Sequence, residues 1–244
     1  MTLPEEMLYI KYVRLKEDAE RPDAYPYTVP ALANFSELHF RSPVTFILGE
    51  NGMGKSTLLE AIAVKAGFNA EGGSRNFNFA TRASHSQLYE QIVLGRGITP
   101  RDGYFLRAES FYNVASELEQ IADGVLRYYG DRSLHQLSHG EGFLALLKHR
   151  LFGNGLYIFD EPESALSPSR QMYLLCRMRQ LVEQGSQFII STHSPIVLAY
   201  PGAEIYEITE NGLQRTELEQ TSHYMLMKRF VLDRESLLRQ MDLE

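Results

Sequence analysis

The chain has 244 residues, 44% of them hydrophobic and 23% charged, which is the composition of an ordinary soluble globule with room for one large α/β domain or two small ones. Its 24 basic and 31 acidic residues give a net charge of −7, so the chain as a whole has no electrostatic footprint for nucleic acid, although a local basic stripe is left open. Its one cysteine allows no internal disulfide.

The compartment is predicted from the cysteine count, the first residues and the absence of long apolar runs. A single cysteine fits a reducing environment. The opening Met-Thr-Leu-Pro-Glu-Glu carries acids where a secretory signal needs positive charge, and no run approaches the roughly 20 apolar residues of a membrane span. We therefore expect a cytoplasmic protein without direct membrane insertion, and we expect Cys176 to be a small buried residue in a helix over Gln171–Glu183.

The first elements in chain order are short strands separated by loops. Met7–Leu15 has the composition of a strand, and residues 18–30, which contain three prolines, are predicted to form an extended loop. Ala31–Leu38 predicts a turn or short helix that leads into a second strand near His39–Phe40.

A glycine-rich segment then lies between a strand and a helix. The apolar run Val44–Leu48 predicts a buried strand, and Leu58–Ala63 has the spacing of a helix. Glycines between them allow backbone N–H groups to turn towards a phosphate, and the start of the helix adds its positive dipole end. This is the pattern of a P-loop, in which Lys55 reaches the β- and γ-phosphates of a nucleotide and the Ser56 hydroxyl binds Mg²⁺. The predicted nucleotide-binding residues are Gly49, Glu50, Asn51, Gly52, Met53, Gly54, Lys55, Ser56 and Thr57.

The middle of the chain predicts loops, one strand and one helix. Glu71–Ala80 is rich in glycine and asparagine and is predicted as loop, Ser86–Leu94 as a short strand or helix, and Gly95–Gly103 as a turn-rich linker. Tyr104–Ala108 predicts a strand that ends at Glu109, and apolar residues at three- and four-residue spacing predict a helix from Phe111 to Val125.

The remaining elements alternate between helices and strands. Ser138 and Glu141 form a capping box at the start of a helix that continues through Phe143–Leu151. The later predicted elements are a strand over Leu156–Phe159, a helix over Ser169–Glu183, a strand over Gln187–Thr192, a hairpin of Ala203–Thr209 with Leu213–Leu218, and a final helix from Ser222. Apolar strands that alternate with helices predict an α/β fold with a mainly parallel sheet.

Polar residues follow two of the predicted strands. Asp160 and Glu161 come directly after an apolar strand, where Asp160 would hold Mg²⁺ and Glu161 would polarise an attacking water. His193 follows the next strand and could hydrogen-bond a γ-phosphate. Considered separately, each of these groups also has a structural explanation. Asp160 and Glu161 could be an acidic pair at a surface turn, and His193 could be a structural residue whose hydrogen bonds are satisfied.

The helix that starts at Ser138 offers a second anion site. Its free N–H groups, the Ser138 hydroxyl and Gly140 could all face a phosphate, although the capping box alone explains the sequence. Because the P-loop already binds the same phosphates, two sites on one chain make sense if each copy completes the site of the other. We therefore predict a homodimer with ATP buried between one P-loop and the Ser138 helix of the second copy.

These motifs, in this order, resemble those of ABC-type ATPases. Gly49–Thr57, Leu137–Glu141, Leu156–Glu163, Ser164–Pro168 and His193 are similar to the Walker A, signature, Walker B, D-loop and H-loop segments. The motifs Asp-Glu-Pro-Glu and Ser-Thr-His-Ser-Pro resemble those of the SMC/RecF branch more than those of transporters. The whole chain resembles compact stand-alone bacterial ATPases. The resemblance implies one ABC-type ATPase domain over residues 1–244, with N-terminal β elements and a small helical subdomain at about 104–152. It also implies ATP and Mg²⁺ as ligands, ATP-driven dimerisation and slow hydrolysis.

The sequence also departs from that family pattern. Leu-Ser-Gly-Gly-Gln appears as Leu-Ser-His-Gly-Glu, and the glutamine expected before the helical subdomain is replaced by Glu109, a candidate metal ligand for which Gln87 is the competitor. An aromatic residue in the region of Tyr25 and Tyr27 stacks on adenine in ATP-binding cassettes, but packing on the sheet explains a tyrosine there equally well. The segment between Lys55 and Ser138 is too short for a long coiled coil.

Three functions are compatible with these residues. The first is an ATPase whose nucleotide-gated dimer acts as an intracellular switch in DNA maintenance or defence, with a nucleic acid or protein client left open. The second is the nucleotide-binding subunit of an ABC transporter that docks on a permease through the Glu109 region. The third is a clamp that holds ATP without turnover, which the retained carboxylate of Glu161 disfavours.

Overall fold

The computed structural model describes residues 4–20, 22–75, 86–108, 111 and 137–242. Its strands are β1 Ile10–Leu15, β2 Glu37–His39, β3 Val44–Leu48, β4 Gly73–Ser74, β5 Ile92–Arg96, β6 Asp102–Arg107, β7 Gly155–Asp160, β8 Gln187–Ser191, β9 Glu204–Thr209 and β10 Gly212–Thr216. Its helices are α1 Pro30–Ala33, α2 Lys55–Ala66, α3 Leu88–Gln91, α4 His139–His149, α5 Pro168–Glu183, α6 Pro195–Leu198, α7 Ser222–Leu232 and α8 Arg234–Gln240.

The central sheet confirms the predicted α/β fold. Within the described residues its order is β10-β9-β3-β8-β7-β6-β4, and the pairs β9–β3, β3–β8, β8–β7 and β7–β6 are parallel. Only the outer pairs, β10–β9 and β4–β6, are antiparallel. Strands β3, β7 and β8 are buried along their whole length, as expected for a sheet covered on both faces. The carboxyl ends of these three strands therefore meet at one edge of the sheet.

Side chains of alternate residues fill a separate apolar cluster on each face of this sheet. Phe46 of β3 and Phe159 of β7 pack with α4 and α5 on one face. Ile47 and Ile158 pack with α2 and with the second sheet on the other face. This alternation follows from the two-residue period of a strand.

A second, antiparallel sheet of order β2-β1-β5 covers one side of the molecule. The segment Ser86–Leu94 supplies both predicted alternatives, because α3 ends at Gln91 and β5 begins at the next residue. The predicted linker Gly95–Gly103 is shorter than expected, since β5 continues to Arg96 and β6 begins at Asp102. The pairing of β1 with β5 was not predicted.

Two further predictions differ from the structure. Cys176 is exposed rather than buried. The buried residues of α5 follow a helical spacing that places Cys176 on the solvent face: they are Gln171, Leu174, Met178, Leu181 and Val182. The last predicted helix is divided at Asp233 into α7 and α8. The helix predicted from Phe111 to Val125 lies, apart from Phe111, outside the described residues. Among the helices that the structure describes, none is both long and apolar enough to cross a bilayer.

Candidate functional site

The glycine-rich segment lies between β3 and α2, as predicted. Gly54 caps α2 with φ of 95°, and a Cβ atom at this position would lie 2.6 Å from Cγ2 of Val29, so a larger residue would be both strained and crowded. Lys55 is the first residue of α2, and its Nζ donates to the carbonyl oxygens of Gly49 at 2.8 Å and Glu50 at 3.1 Å. Burial lowers the pKa of Lys55. The loop is therefore folded around a buried ammonium group.

A cleft of about 400 Å³ opens in front of this segment. The residues that line it come from the glycine-rich segment, the N-terminal loop and the ends of two strands: they are Tyr25, Val29, Asn51, Gly52, Gly54, Lys55, Ser56, Thr57, Ala108, Asp160 and Glu161. Tyr25 is 64% exposed, and its hydroxyl lies 3.0 Å from Oγ1 of Thr57. The structure thus brings six of the nine predicted P-loop residues together with both predicted carboxylates and with Tyr25, whereas Gly49, Glu50 and Met53 do not line the cleft.

Asp160 joins α2 to the central sheet. Its Oδ1 accepts hydrogen bonds from the hydroxyls of Ser56 at 3.2 Å and Ser191 at 2.5 Å. Burial is the largest influence on its pKa and raises it, while these two hydrogen bonds act in the opposite direction. The described residues contain no cluster of three or more His, Cys, Asp or Glu side chains suited to a metal. A hydroxyl and a carboxylate at one point suit Mg²⁺, which keeps water and phosphate oxygens as its other ligands.

Glu161 has a backbone conformation that is rare for a residue with a side chain. Its φ of 51° lies in the left-handed region, and its N–H donates to the carbonyl and the hydroxyl of Ser191. Its Oε1 lies 3.6 Å from Nζ of Lys55 and accepts a hydrogen bond of 3.0 Å from Nε2 of His193. That bond from His193 is the main cause of the lowered pKa of Glu161. The carboxylate is therefore held ionised, and its strained backbone marks it as a candidate functional residue.

His193 follows β8 and makes two contacts that the sequence did not indicate. Its backbone N–H donates to Oε1 of Glu163 at 2.5 Å, and burial raises the pKa of that carboxyl. Its Nδ1 lies 3.2 Å from Nε2 of His223 on α7. The motif Asp-Glu-Pro-Glu could have drawn attention to Glu163. No local pattern singles out His223, which is thirty residues from His193 in sequence.

The predicted second anion site is separate from this cleft. Ser138 caps α4 through the predicted capping box with Glu141, and it is exposed. A Cβ atom on Gly140 would lie 2.7 Å from the carbonyl oxygen of Ala165, which explains the glycine by close packing. Among the described residues, neither Ser138 nor Gly140 lines the cleft. Glu109 lies outside the described residues, and its competitor Gln87 lines a neighbouring cavity with Tyr25 and Tyr27.

Comparison with known proteins links the chain to ATP-binding proteins. Residues 31–99 match a family described as "AAA domain", and residues 116–199 match one described as "AAA domain, putative AbiEii toxin, Type IV TA system". The chain is 32% identical over 184 residues to an uncharacterized ABC transporter ATP-binding protein of Haemophilus influenzae, covering 65% of this chain and 67% of that protein. It is 29% identical over 176 residues to the Escherichia coli cytochrome c biogenesis ATP-binding export protein CcmA, covering 68% and 83%.

The fold is also similar to that of a solved cassette. The crystal structure of the ADP conformation of an ATP-binding cassette of an ABC transporter superposes with a TM-score of 0.50 at 16% identity. The match covers 97% of this chain and 100% of the cassette. At this identity the similarity concerns the fold alone.

Proposed function

The chain belongs to the ABC-type ATPase family of ATP-binding P-loop proteins, and we propose that it binds Mg-ATP in the cleft of Gly49–Thr57 and hydrolyses it with Glu161. The observation that carries this proposal is the convergence of Lys55, Ser56, Asp160 and Glu161 at one point. The hydrogen bond from Ser56 to Asp160 joins the phosphate-binding helix to a strand end 104 residues later. Glu161, next in sequence, then faces Lys55.

The chemistry assigned to these residues is the transfer of the γ-phosphoryl group to water. Lys55 exchanges its contacts with backbone carbonyls and Glu161 for the β- and γ-phosphate oxygens. Glu161 accepts a hydrogen bond from the attacking water and takes its proton as the new P–O bond forms. The bond from the γ-phosphorus to the bridging oxygen breaks, and the electron pair leaves with ADP.

Ser56 and Asp160 are the residues that would hold Mg²⁺. The raised pKa of buried Asp160 indicates a carboxylate that would be stabilised by a cation. When bound, Mg²⁺ neutralises charge on the phosphate oxygens. Glu109 remains a proposed further ligand. A direct test of the ATPase proposal is the release of phosphate from Mg-ATP by the purified chain, without an added partner.

We further propose that two copies enclose ATP. Ser138 and the N-terminus of α4 are exposed and do not line the cleft of their own chain, and the Ser138 hydroxyl, which donates to Glu141 in this structure, would turn to the phosphate. A second copy can supply this hydroxyl and the N–H groups at the start of α4 to the phosphates. We infer a single domain over residues 1–244, with the helical subdomain at about 104–152 carrying Ser138 to that interface.

Ser138→Arg should leave ATP binding by the isolated chain unchanged but prevent dimerisation and lower hydrolysis at least about 100-fold. The bulky cation would occupy the space for the phosphate and the facing P-loop, and the loss is the size expected for removing positioned donors. Equilibrium ATP binding, gel filtration and phosphate release measure the three effects.

Ser138→Asn is the matched control, because asparagine caps a helix about as well as serine. It retains the cap and adds far less bulk than arginine, so normal dimerisation of this variant would show that a small polar residue at position 138 is tolerated. Normal hydrolysis by Ser138→Arg would refute the shared site and leave Ser138 as a helix cap.

Tyr25→Ala should weaken ATP binding about tenfold, since the loss of one base–aromatic stack costs about 1–3 kcal/mol. The affinity for inorganic tripolyphosphate should not change, because Tyr25 would contact the base and not the phosphates. Competition binding with both ligands measures the difference, and Tyr27→Phe serves as the control for the neighbouring tyrosine. An equal loss of affinity for tripolyphosphate would contradict the assignment.

The process driven by ATP has two candidates with similar support. Two observations favour a stand-alone switch of the SMC/RecF-like branch that acts in DNA maintenance or defence. They are the motifs Asp-Glu-Pro-Glu and Ser-Thr-His-Ser-Pro, and the toxin–antitoxin description of the family that matches residues 116–199. The names of the full-length relatives favour the nucleotide-binding subunit of a transporter. Affinity purification from native membranes separates them, because a transporter subunit should retain a membrane-spanning partner in detergent.

A further inference from the structure

We propose that His223, on the C-terminal helix α7, is a positioning residue that fixes the ring of His193 and thereby orients Glu161. The side chains form one chain of contacts from the cleft to this helix. Glu161 Oε1 lies 3.0 Å from Nε2 of His193, and Nδ1 of His193 lies 3.2 Å from Nε2 of His223. The inference rests on the proposed ATPase function for its consequence, though not for its geometry.

The contact with Glu161 determines where a proton lies on His193. An ionised carboxylate can only accept hydrogen bonds, so the Nε2 atom that faces Glu161 must carry a proton. The other ring nitrogen faces His223. A partner at that nitrogen selects both the orientation and the protonation of an imidazole ring, as is usual for histidines in functional sites.

The hydrogen bonds continue beyond His223 to Ser222 and Glu207. The Ser222 hydroxyl donates to Oε1 of Glu207 at 2.6 Å, so its oxygen is left as an acceptor for Nδ1 of His223 at 3.3 Å. With that proton on Nδ1, every link is satisfied when Nε2 of His223 is also protonated and donates to His193, and equally when His223 is neutral and its Nε2 atom accepts from Nδ1 of His193. We assign the arrangement with a neutral His223.

The surrounding charges agree with this arrangement. Burial is the main cause of the lowered pKa of His223, the neighbouring His193 and Lys55 act in the same direction, and Glu207 and Glu50 act against them. His193 faces the ionised Glu161 on its other side. These influences favour a neutral His223 that accepts from His193.

The start of α7 is fixed to the rest of the protein by two side chains that precede His223. Thr221 is fully buried and caps the helix by accepting from the N–H of Tyr224. The Ser222 hydroxyl donates a hydrogen bond to Glu207 on β9. Strand β9 pairs with β3, the strand before the P-loop, at Leu48. No residue of α7 itself is buried, and side chains further along, such as Leu226 and Val231, are 61% and 70% exposed. His223 is therefore not explained as part of an apolar core, and its polar partners are Ser222 and His193, which in turn contacts Glu161 of the cleft.

Two substitutions separate the hydrogen bond from the shape of the ring. His223→Phe keeps an aromatic ring against His193 but has no polar atom, whereas His223→Gln places an amide close to the position of Nε2. We expect kcat for ATP to fall about tenfold in His223→Phe, the effect of losing roughly one hydrogen bond, with KM within about twofold of the original. His223→Gln should retain at least about half of kcat. Met225→Ala, on the exposed side of the same helix, is the control, and its kcat and KM should equal those of the protein without substitutions.

Two kinetic results would contradict the proposal. Unchanged kcat in His223→Phe, or an equal loss in His223→Gln, would mean that the contact only packs the helix. If the unchanged chain itself shows no ATPase activity, the proposed function fails while the positioning role can still be tested.

A second measurement, nitrogen NMR of the histidine rings, needs no turnover. In the nucleotide-free protein we expect a proton on Nε2 of His193, and we expect the Nδ1 resonance of that ring to shift in His223→Phe and not in Met225→Ala. An Nδ1 resonance that does not respond to His223→Phe would overturn the inference.

Discussion

Lys55→Ala is expected to weaken ATP binding by at least about 100-fold, or about 2.8 kcal/mol, and to remove hydrolysis with it. Lys55 is 4% exposed, and its ammonium group already lies among the carbonyls of the glycine-rich loop and Glu161. Removal of the ammonium takes away the positive charge meant for the phosphates and leaves the negative charge of Glu161 facing them. Equilibrium binding of a fluorescent ATP analogue measures the loss.

Lys65→Ala is the matched control for this change. It removes the same side chain from the last turn of α2, ten residues and about 15 Å further along the helix. Its ATP affinity should equal that of the original chain. Retained ATP affinity in Lys55→Ala, with the fold intact by circular dichroism, would refute the assignment of the P-loop.

The parts of the fold that the sequence predicted are those set by local patterns. Strand β3, helix α2 and strand β7 lie within a few residues of their predicted bounds because apolar runs, glycines and helical spacing act over short stretches. The capping box of Ser138 and Glu141 was predicted for the same reason. The carboxyl ends of β3, β7 and β8 lie at one edge of the sheet because these strands pair in parallel, and the sequence predicted a mainly parallel sheet.

Features that depend on contacts between distant residues could not be predicted. The second sheet pairs β1 with β5, and the packing of separate segments decides this pairing. The left-handed backbone of Glu161 depends on its hydrogen bonds to Ser191 on the neighbouring strand. The contact between His193 and His223 likewise depends on where α7 meets the sheet.

Glu161→Gln should lower phosphate release at least about 100-fold while ATP binding is retained, since glutamine has the same shape but cannot act as a base. Its side-chain oxygen can still accept from Nε2 of His193, so the local structure should survive. If ATP is enclosed between two copies, the variant should accumulate as a dimer, because the step that opens the pair is blocked. Light scattering after gel filtration should then give twice the 27.9 kDa chain mass with Mg-ATP and the single mass without it.

Glu183→Gln makes the same chemical exchange in an exposed pair with Arg179 and should change neither hydrolysis nor mass. A single mass for Glu161→Gln with ATP demonstrably bound would refute the homodimer, and Ser138 would then either only cap α4 or face a second, different chain. Unchanged phosphate release would instead remove Glu161 from the reaction. The two failures differ because dimerisation depends on Ser138 at the exposed start of α4, whereas proton transfer depends on a carboxylate between Lys55 and His193.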